Sequence, residues 1–529
     1  MTKQISVAKA VSLIKDNITL GVGGFGGASA PDALLCGMAE SFSRCGSPRG
    51  LTVVSGISPG DLKEDGYGLS EIKQEGIISA IYAPHVGMSP AIGRAVGANK
   101  IAGYTVPLGV YDHLLRAIAG KKPGVVTRIG MYTFCDPRED GCCTNELAKN
   151  SGWQVVSLIE LDGAEYLHYK PFRLDACIIR GTLADEAGNT TLDHEVVCSE
   201  QAVMAAAVHN CGGFVIVQVE DVVENGSLDP RRVQIPGCIV DYIVKAEPQL
   251  HLQCYDGSGF RPELIGESRA HLEKLTPMPL TLRKICGRRA AMELPDGGLV
   301  NLGIGMPDSV ASVVNEEGLT DRLTLSIETG VWGGVPIQGV SFGAAVNPQI
   351  IMPICDNFDL YDGGCLDAAV LGLAEADSEG NLNVSKFGGR CYGPGGFTNI
   401  TQTTKKLCFI GTFTAGKPDY EIRDGRLNIG RDEGRVKFKK HVEQITFSGR
   451  YAREFGQDVL YITERAVFRL TDEGMTLTEI APGVDLRSQI LDKMEFEPHI
   501  SKNLKEMDGR IFRREVMKLS LRSRIAVKK

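Results

Sequence analysis

The feature that most constrains the fold is an internal repeat. Residues 174–189, LDACIIRGTLADEAGN, align without a gap to residues 366–381, LDAAVLGLAEADSEGN. Both segments begin with Leu-Asp-Ala and end with Gly-Asn, and Asp185 pairs with Asp377. An Asp-x-x-Gly-Asn ending is also ordinary turn chemistry, but the shared beginning argues against coincidence. A repeat with this long a period indicates duplicated domains rather than a solenoid.

Two shorter segment pairs extend the repeat. LGVG at residues 20–23 matches LGIG at 302–305, and LTV at 51–53 matches LTL at 323–325. The two halves are therefore expected to share one scaffold.

Apolar β-rich runs alternate with helical segments along the chain. This alternation is typical of an α/β fold with mainly parallel sheets. The predicted helices are 6–15 and 31–42. The predicted strands are 18–22, 51–55, 176–179, 213–219, 299–302, 323–327, 350–354, 369–373 and 407–410.

The boundary between the two halves is predicted near residues 273–282. This stretch contains two prolines and no long apolar block, as linkers commonly do. It gives an N-terminal α/β domain over 1–275 and a C-terminal α/β domain over 283–529.

Composition excludes several classes of function. A chain of 529 residues has material for at least two domain cores. Its net charge of −8 argues against a nucleic-acid or anionic-membrane partner. The sequence has no apolar run of membrane-spanning length and no signal-peptide pattern, so a cytoplasmic protein is expected. The 15 scattered cysteines are expected to be reduced thiols. The basic C-terminal segment that begins at Arg510 is expected to form a helix.

Glu328 is the most informative single residue. It lies in LTLSIETGVWGG, residues 323–334, where a β-rich run delivers one carboxylate and then breaks at Gly330. A strand end followed by glycines can present a side chain at the rim of a parallel sheet, and a carboxylate there can act as a nucleophile. An ordinary polar residue ending a strand is the alternative. In the repeat register Glu328 corresponds to Gly56, so only one half carries it, and one active site per chain is predicted.

Three glycine turns accompany this carboxylate, at residues 21–26, 303–306 and 393–397. The first satisfies G-x-G-x-x-G, but a dinucleotide site also needs an acidic residue about twenty positions on, at the end of the next strand. Here that strand ends in Ser-Gly, which makes the dinucleotide interpretation weak. A tight strand–helix turn needs only the glycines. Backbone N–H groups of such turns can instead bind an oxyanion, which suits acyl transfer.

Taken together, these segments resemble the family I CoA-transferases, in particular the long single-chain acetate/propionate (short-chain acyl) CoA-transferases. The resemblance runs over nearly the whole chain. It implies two NagB/RpiA/CoA-transferase-like α/β domains, the second carrying the catalytic glutamate. The matching segments are GVGGF at 21–25, LVNLGIGMP at 299–307, ETGVWGG at 328–334, GPGGFTNITQTTKK at 393–406, YITERAVFRL at 461–470 and LTEIAPGVDL at 477–486.

The resemblance implies that Glu328 attacks an acyl-CoA thioester. The resulting mixed anhydride is attacked by the CoA thiolate, which leaves a covalent glutamyl-CoA thioester. A second acid reverses these steps, so the kinetics are expected to be ping-pong. Keeping CoA bound lets its remote contacts lower the barrier at the thioester. Coenzyme A is thus substrate and covalent intermediate, and neither a tightly bound cofactor nor a metal is expected.

The resemblance also implies roles for residues around Glu328. The oxyanion and acyl pocket is assigned to Gly23, Gly24, Phe25 and Leu108. CoA binding is assigned to Gly303, Ile304, Gly305, Gly330, Lys386, Gly395 and Gly396. The N–H groups of the glycine turns are expected to keep the nucleophile ionised.

Leu108 is a departure from the family pattern. Members commonly carry a glutamine in a Pro-Gln-Gly turn, and here the turn reads Pro-Leu-Gly. An apolar side chain thus replaces one that can hydrogen-bond, so another group orients Glu328 or the acid, or the substrate preference has shifted. Trp332 is a second candidate for narrowing the acyl pocket, with simple packing as its alternative role.

The expected partners are acyl-CoA and short-chain carboxylic acids, with no nucleic acid and no membrane, and the resemblance implies a homo-oligomer, either dimer or tetramer. Two other functions stay open. An acyl-CoA hydrolase needs the same glutamate and a pocket more open to water. A non-catalytic metabolite-binding module would make Glu328 incidental. The acyl pair also stays open among acetate, propionate, butyrate, acetoacetate and hydroxy acids.

Overall fold

A computed structural model describes residues 3–271 and 277–523. The chain forms two compact units. Unit 1 comprises Met1–Ala270, Glu328–Asp359 and Ser385–Asn399, and unit 2 comprises His271–Ile327, Leu360–Val384 and Ile400–Lys529. Part of the predicted boundary at 273–282 lies outside the described residues, since these omit 272–276.

The compact units divide the chain differently from the predicted domains 1–275 and 283–529. Two segments of the second half belong to unit 1, including the one that begins at Glu328. Backbone hydrogen bonds hold them there: Ile354 N–H donates to the Cys198 carbonyl at 3.0 Å, and Leu108 N–H donates to the Gly395 carbonyl at 2.9 Å. The predicted domains therefore remain a proposal about a duplicated sequence, and the glutamate assigned to the C-terminal domain lies in unit 1.

Unit 1 is built on a seven-stranded sheet in which every pairing is parallel. Its strands are β1 Thr19–Val22, β2 Leu51–Val54, β3 Ile78–Tyr82, β4 Ala102–Tyr104, β5 Ala176–Arg180, β6 Phe214–Val219 and β7 Tyr242–Lys245. The order across the sheet is β7-β6-β5-β1-β2-β3-β4. All five residues of β5 are buried, as expected for a central strand covered on both faces.

Unit 2 contains eight consecutive strands of a second sheet, in the order β9-β8-β10-β11-β12-β13-β14-β15. These are β8 Leu299–Leu302, β9 Thr324–Ser326, β10 Ala368–Gly372, β11 Lys406–Ile410, β12 Asp458–Ile462, β13 Ala466–Thr471, β14 Gly474–Ile480 and β15 His499–Glu506. The strands from β9 to β12 pair in parallel, and β13 is antiparallel to both of its neighbours. The predicted α/β class with mainly parallel sheets is confirmed.

Twelve α-helices accompany these sheets among the described residues. They are α1 Val7–Leu13, α2 Asp32–Cys45, α3 Pro90–Gly97, α4 Leu108–Ala119, α5 Glu146–Asn150, α6 Gln201–Asn210, α7 Leu282–Ala291, α8 Asp308–Glu316, α9 Ile354–Asp362, α10 Phe397–Thr403, α11 Gly449–Glu454 and α12 Leu486–Gln489.

The predicted strand 350–354 is mostly wrong. Only Ile350–Ile351 is extended, because Pro353 cannot donate to a strand ladder and helix α9 begins directly after it.

The remaining strands are mostly short. In unit 1 they are Val125–Thr127 with Val156–Leu161 and Ala164–Tyr169; Leu183–Asp185 with Thr190–Thr191, Asp221–Val223 and Val233–Ile235; and the pairs Val331–Trp332 with Ile350–Ile351, Val335–Pro336 with Ala345–Val346, and Lys386–Phe387 with Arg390–Cys391. In unit 2 they are the pairs Glu375–Ala376 with Leu382–Asn383, Thr414–Ala415 with Arg435–Val436, and Tyr420–Arg423 with Arg426–Ile429.

Each unit has its own apolar core. The unit 1 core joins α1, α2 and α3 to β1, β2 and β3. The unit 2 core joins α7 and α8 to its central strands and includes Ile511, Phe512 and Met517.

The predicted C-terminal helix is wrong: a 3-10 turn, Gly509–Phe512, is followed by irregular chain up to residue 523, and the rest lies outside the described residues. Burial of these apolar side chains and four carbonyl contacts from Arg288 hold this segment.

The duplication is visible in the hydrogen bonds of both units. The Asp185 carboxylate accepts from the side chain of Asn189 at 2.8 Å, and the Asp377 carboxylate accepts from Asn381 at 3.1 Å. Each pair closes the turn at the end of the aligned segments, 174–189 and 366–381. The longest predicted repeat is thus a structural repeat.

The match of residues 20–23 to 302–305 is wrong by two positions. Gly23 N–H donates to the Ile178 carbonyl and Gly303 N–H donates to the Val370 carbonyl, and these two acceptors are equivalent in the longest repeat. Gly23 therefore corresponds to Gly303. Both segments alternate glycine with apolar residues, and a pattern of period two fits equally well when it slides by two residues.

The match of 51–53 to 323–325 is confirmed. Leu20 lies opposite Val53 on the neighbouring strand, and Val300 lies opposite Leu325. The same register makes Gly56 the counterpart of Glu328.

We expect Asp185→Ala to lower the free energy of unfolding of unit 1 by about 3 kcal/mol, since hydrogen bonds to a charged group are worth about 1.5–3 kcal/mol. Asp185 is 1% exposed and accepts from Ala187 N, Asn189 N and Asn189 Nδ2. Chemical denaturation measures the loss. The matched control is Glu186→Ala, an exposed neighbour expected to change stability by less than about 0.5 kcal/mol. Equal effects of the two changes would refute a structural role for the repeated turn.

Candidate active site

The Glu328 carboxylate lies against the glycine turn at residues 393–397. A methyl group added at Gly396 would lie 2.7 Å from Glu328 Oε2, and one added at Gly395 would lie 4.0 Å from Oε1. Both glycines belong to the same unit as Glu328. The carboxylate thus reaches the backbone of Gly396 at a distance that no larger residue would permit.

Three side chains fix the backbone around Glu328. Asn357 Nδ2 donates to the Glu328 carbonyl at 3.1 Å, and Trp332 Nε1 donates to Asn357 Oδ1 at 2.8 Å. Thr329 Oγ1 donates to the Gly343 carbonyl at 2.6 Å. Trp332 is therefore linked through Asn357 to the backbone of Glu328.

Burial raises the pKa of the Glu328 carboxyl to about 7. The expectation that glycine N–H groups would keep this residue ionised is wrong, because most of these donors are already used. Gly26 N–H donates to the Ile57 carbonyl and Gly395 N–H donates to the Pro84 carbonyl, both at 3.0 Å. Desolvation without compensating donors favours the neutral acid.

The predicted pocket residues Gly23, Gly24 and Phe25 have different surroundings. Gly23 N–H donates to Ile178, and the Gly24 N–H faces the carboxyl of Glu200. An oxyanion role for the Gly23 N–H would therefore require breaking an existing hydrogen bond. Phe25 is buried, and a methyl at Gly343 would lie 3.2 Å from its ring and 2.8 Å from Thr329 Cγ2. Phe25 thus packs beside the segment that follows Glu328.

Leu108 is the first residue of α4, and its side chain is 1% exposed. Its N–H donates to the Gly395 carbonyl at 2.9 Å, and Gly109 N–H donates to Asn399 Oδ1 at 3.1 Å. The ring of Phe358 lies close to both Gly109 and Gly396. The beginning of α4 is therefore attached to the glycine turn that touches Glu328.

Gly330 and Lys386 also lie in unit 1. A methyl at Gly330, where φ is +88°, would lie 2.1 Å from the Met352 carbonyl oxygen. Glycine at this position permits two backbone segments to approach closely. Lys386 is partly exposed and lies in a two-residue strand paired with Arg390–Cys391.

Gly303, Ile304 and Gly305 belong to unit 2. The Gly305 N–H donates to Asp308 Oδ2 at 3.2 Å, and its carbonyl accepts from Arg283 Nη2 at 2.6 Å. These contacts hold a turn that leaves Ile304 52% exposed. An exposed apolar residue on a fixed turn is available for a ligand.

Sequence reasoning missed Asn357, Phe358, Gly343 and Ile57. A methyl at Gly395 would lie 3.6 Å from Ile57 Cδ1, so Ile57 is a neighbour of the same turn. None of these residues belongs to a recognisable linear motif. His85 lies beside Gly393, and burial lowers its pKa to about 4, so its imidazole is neutral.

The described ranges contain no group of three His, Cys, Asp or Glu side chains able to hold a metal ion. In the same part of the chain, no helix combines the length and apolarity needed to cross a membrane.

Comparison with known proteins identifies the family. Residues 4–246 match the family model described as Coenzyme A transferase. The caffeate CoA-transferase of Acetobacterium woodii is 45% identical over 97% of this chain and 98% of its own. This chain belongs to the CoA-transferase family. The acetate CoA-transferase YdiF of Escherichia coli K12 is 42% identical, over 96% of this chain and 94% of its own.

Solved structures agree with this family membership. The acyl-CoA transferase YdiF apoenzyme from E. coli O157:H7 superposes with a TM-score of 0.92 at 41% identity, over 99% of this chain and 98% of its own. The same protein in a thioester complex with CoA gives a TM-score of 0.91 over the same shares of the two chains. The protein is a CoA-transferase with the α/β fold of these structures.

We expect Gly396→Ala to slow CoA transfer by about a hundredfold, because a methyl 2.7 Å from Oε2 must displace the carboxylate. The rate of thioester formation in a single turnover measures this. The matched control is Gly509→Ala, where an added methyl meets nothing within 4 Å and activity should be unchanged. An unimpaired Gly396→Ala variant would exclude this contact from catalysis.

The rate of the first half-reaction should rise with pH through about 7, since attack requires the ionised carboxylate and the pKa of Glu328 is raised to about 7. Activity is therefore lost as pH falls below this value. Single-turnover rates between pH 5 and 9 test it. An apparent pKa near 4.5, the ordinary value for a glutamate, would refute a desolvated nucleophile.

Proposed function

We propose that this CoA-transferase moves CoA between short-chain carboxylic acids through a covalent thioester on Glu328. The observation that carries the proposal is the placement of one partly shielded carboxylate against the backbone of Gly396, with its own backbone held by Asn357. A carboxylate kept in place at a glycine turn is positioned in advance for attack on a thioester carbonyl.

In the proposed sequence, a Glu328 carboxylate oxygen forms a bond to the thioester carbonyl carbon. The C–S bond breaks, and the CoA thiolate leaves a mixed anhydride behind. The thiolate then attacks the glutamyl carbonyl, which releases the first acid as its carboxylate. The incoming acid retraces these steps, so CoA is regained in the product and Glu328 is regenerated. The kinetics are therefore ping-pong.

The proposed substrates are acetate, propionate and similar short-chain acids with their CoA thioesters. The buried side chains of Leu108, Phe25 and Phe358 give the surroundings of Glu328 an apolar character. The similar proteins named for acetate and for caffeate differ in acid size, so the acceptor panel should include both acids. Homo-oligomeric association and a cytoplasmic location are further parts of the proposal.

The decisive experiment is intact and peptide mass spectrometry after incubation with acetyl-CoA or propionyl-CoA and no acceptor acid. We expect a CoA-sized adduct on the peptide containing Glu328, which disappears when acetate or propionate is added. Glu328→Ala should abolish the adduct and turnover. The matched control Glu433→Ala changes an exposed glutamate and should leave both intact.

The other outcomes separate the alternatives. Turnover of acyl-CoA that does not depend on an added acid would indicate a hydrolase. Loss of the adduct to caffeate but not to short-chain acids would overturn the proposed acyl preference. Unchanged turnover in Glu328→Ala would overturn the proposed nucleophile.

A further inference from the structure

A second glutamate, Glu200, is buried in unit 1 and has no role in the proposed CoA transfer described so far. It immediately precedes α6, is 2% exposed, and its Oε1 has no hydrogen-bond partner. A buried carboxyl is costly unless donors compensate for the lost water. The donors that face Glu200 therefore indicate what it does.

The groups that face its carboxyl include the backbone N–H groups of two glycines, Gly24 and Gly56. Contact with Gly56 is close: an added methyl would lie 3.0 Å from Glu200 Oε2. Gly56 is the counterpart of Glu328 in the duplicated halves. In the first half the strand end lacks its own carboxylate, and one from the beginning of α6 lies over it instead.

The two glycines are directly followed by residues that lie near Glu328. Phe25 follows Gly24 and packs beside Gly343, next to Thr329. Ile57 follows Gly56, and its Cδ1 lies near Gly395, the glycine beside Glu328 Oε1. Displacement of either glycine would therefore move an apolar side chain beside the nucleophile.

We propose that Glu200 is a positioning residue for CoA transfer: by binding the N–H groups of Gly24 and Gly56 it fixes Phe25 and Ile57 beside the nucleophile. This inference rests on the proposed role of Glu328. Glu200 acts through these two turns, and it is not assigned a contact with substrate.

The charge on Glu200 should influence this function. Burial raises the pKa of Glu200 to about 7, although the backbone N–H groups of Gly56 and Gly24 act to lower it. Tyr111 and Asp112 of α4 face Glu200. Burial and the nearby Glu200 carboxylate raise the pKa of Asp112 well above its usual range, and the Arg116 guanidinium opposes this shift. Cys355 of α9 lies near Asp112. Protonation of Glu200 below about pH 7 removes the anionic acceptor for the two N–H groups.

The first test is Glu200→Gln, which keeps the shape and removes the titration. We expect the single-turnover rate of CoA-adduct formation to fall by about tenfold to a hundredfold, as for a misplaced catalytic group. The acid side of the pH–rate profile should become less steep, from a two-proton to a one-proton dependence. The control is Glu224→Gln, an exposed glutamate whose exchange should change neither rate nor profile.

The second test approaches the same contact from the opposite side. Gly56→Ala places a methyl 3.0 Å from Oε2 and should also slow adduct formation. In the Glu200→Gln background its additional effect should be smaller than in the wild type, since both changes disturb one contact. Additive effects of the two substitutions would overturn the inference.

The outcomes distinguish this inference from the proposed function. If wild-type protein forms the Glu328 adduct while Glu200→Gln keeps its rate and pH profile, positioning by Glu200 is refuted and the function stands. If wild-type protein forms no adduct at Glu328, both are refuted. Thermal unfolding of each variant establishes that it is folded. A slowed Glu200→Gln variant with an unchanged pH profile would assign Glu200 to stability alone and overturn positioning.

Discussion

The contact between the Glu328 carboxylate and the backbone of Gly396 is the constraint on which the site depends. It requires a residue without a side chain, and it leaves the carboxylate close to a turn whose neighbouring N–H groups are largely engaged elsewhere. The carboxyl is therefore desolvated without matching donors, which explains its raised pKa. When ionised, a buried glutamate of this kind is less solvated and therefore a more reactive nucleophile than an exposed one. Because its pKa is raised, a larger fraction of it is neutral near pH 7.

The surroundings of Glu328 are held in place largely by backbone hydrogen bonds. Leu108 N–H is bound to the Gly395 carbonyl, and Asn357 is bound to the Glu328 carbonyl. Such bonds fix the main chain whatever the adjacent side chains are. An apolar Leu108 is therefore compatible with this turn: the turn is secured by its backbone, and the side chain is buried.

Duplication has led to two different uses of one strand end. In the second half the chain itself supplies the carboxylate at Glu328. In the first half the equivalent residue is Gly56, and Glu200 reaches the same position from the beginning of α6. We propose that one copy became the reacting group, and we infer that the other became a means of ordering its neighbours. The divergence is possible because parallel strands present their carboxyl ends at one sheet edge, where side chains from different elements can reach the same glycine turns.

The sequence by itself determined the α/β class, the duplication, the CoA-transferase family and the prominence of Glu328. Periodicity, repeated turns and a glycine-flanked carboxylate are local features, so they can be recognised from the sequence alone. The sequence could not settle which residues of 299–305 correspond to residues 20–23, because a pattern of period two matches equally well after a shift of two residues. Only the tertiary structure decided that Glu328 packs in unit 1, that the N–H groups of Gly23 and Gly395 are already engaged, and that Asn357, Ile57 and Glu200 belong to its surroundings. Desolvation and hydrogen-bond competition depend on atoms distant along the chain, and these are set only when the chain is folded.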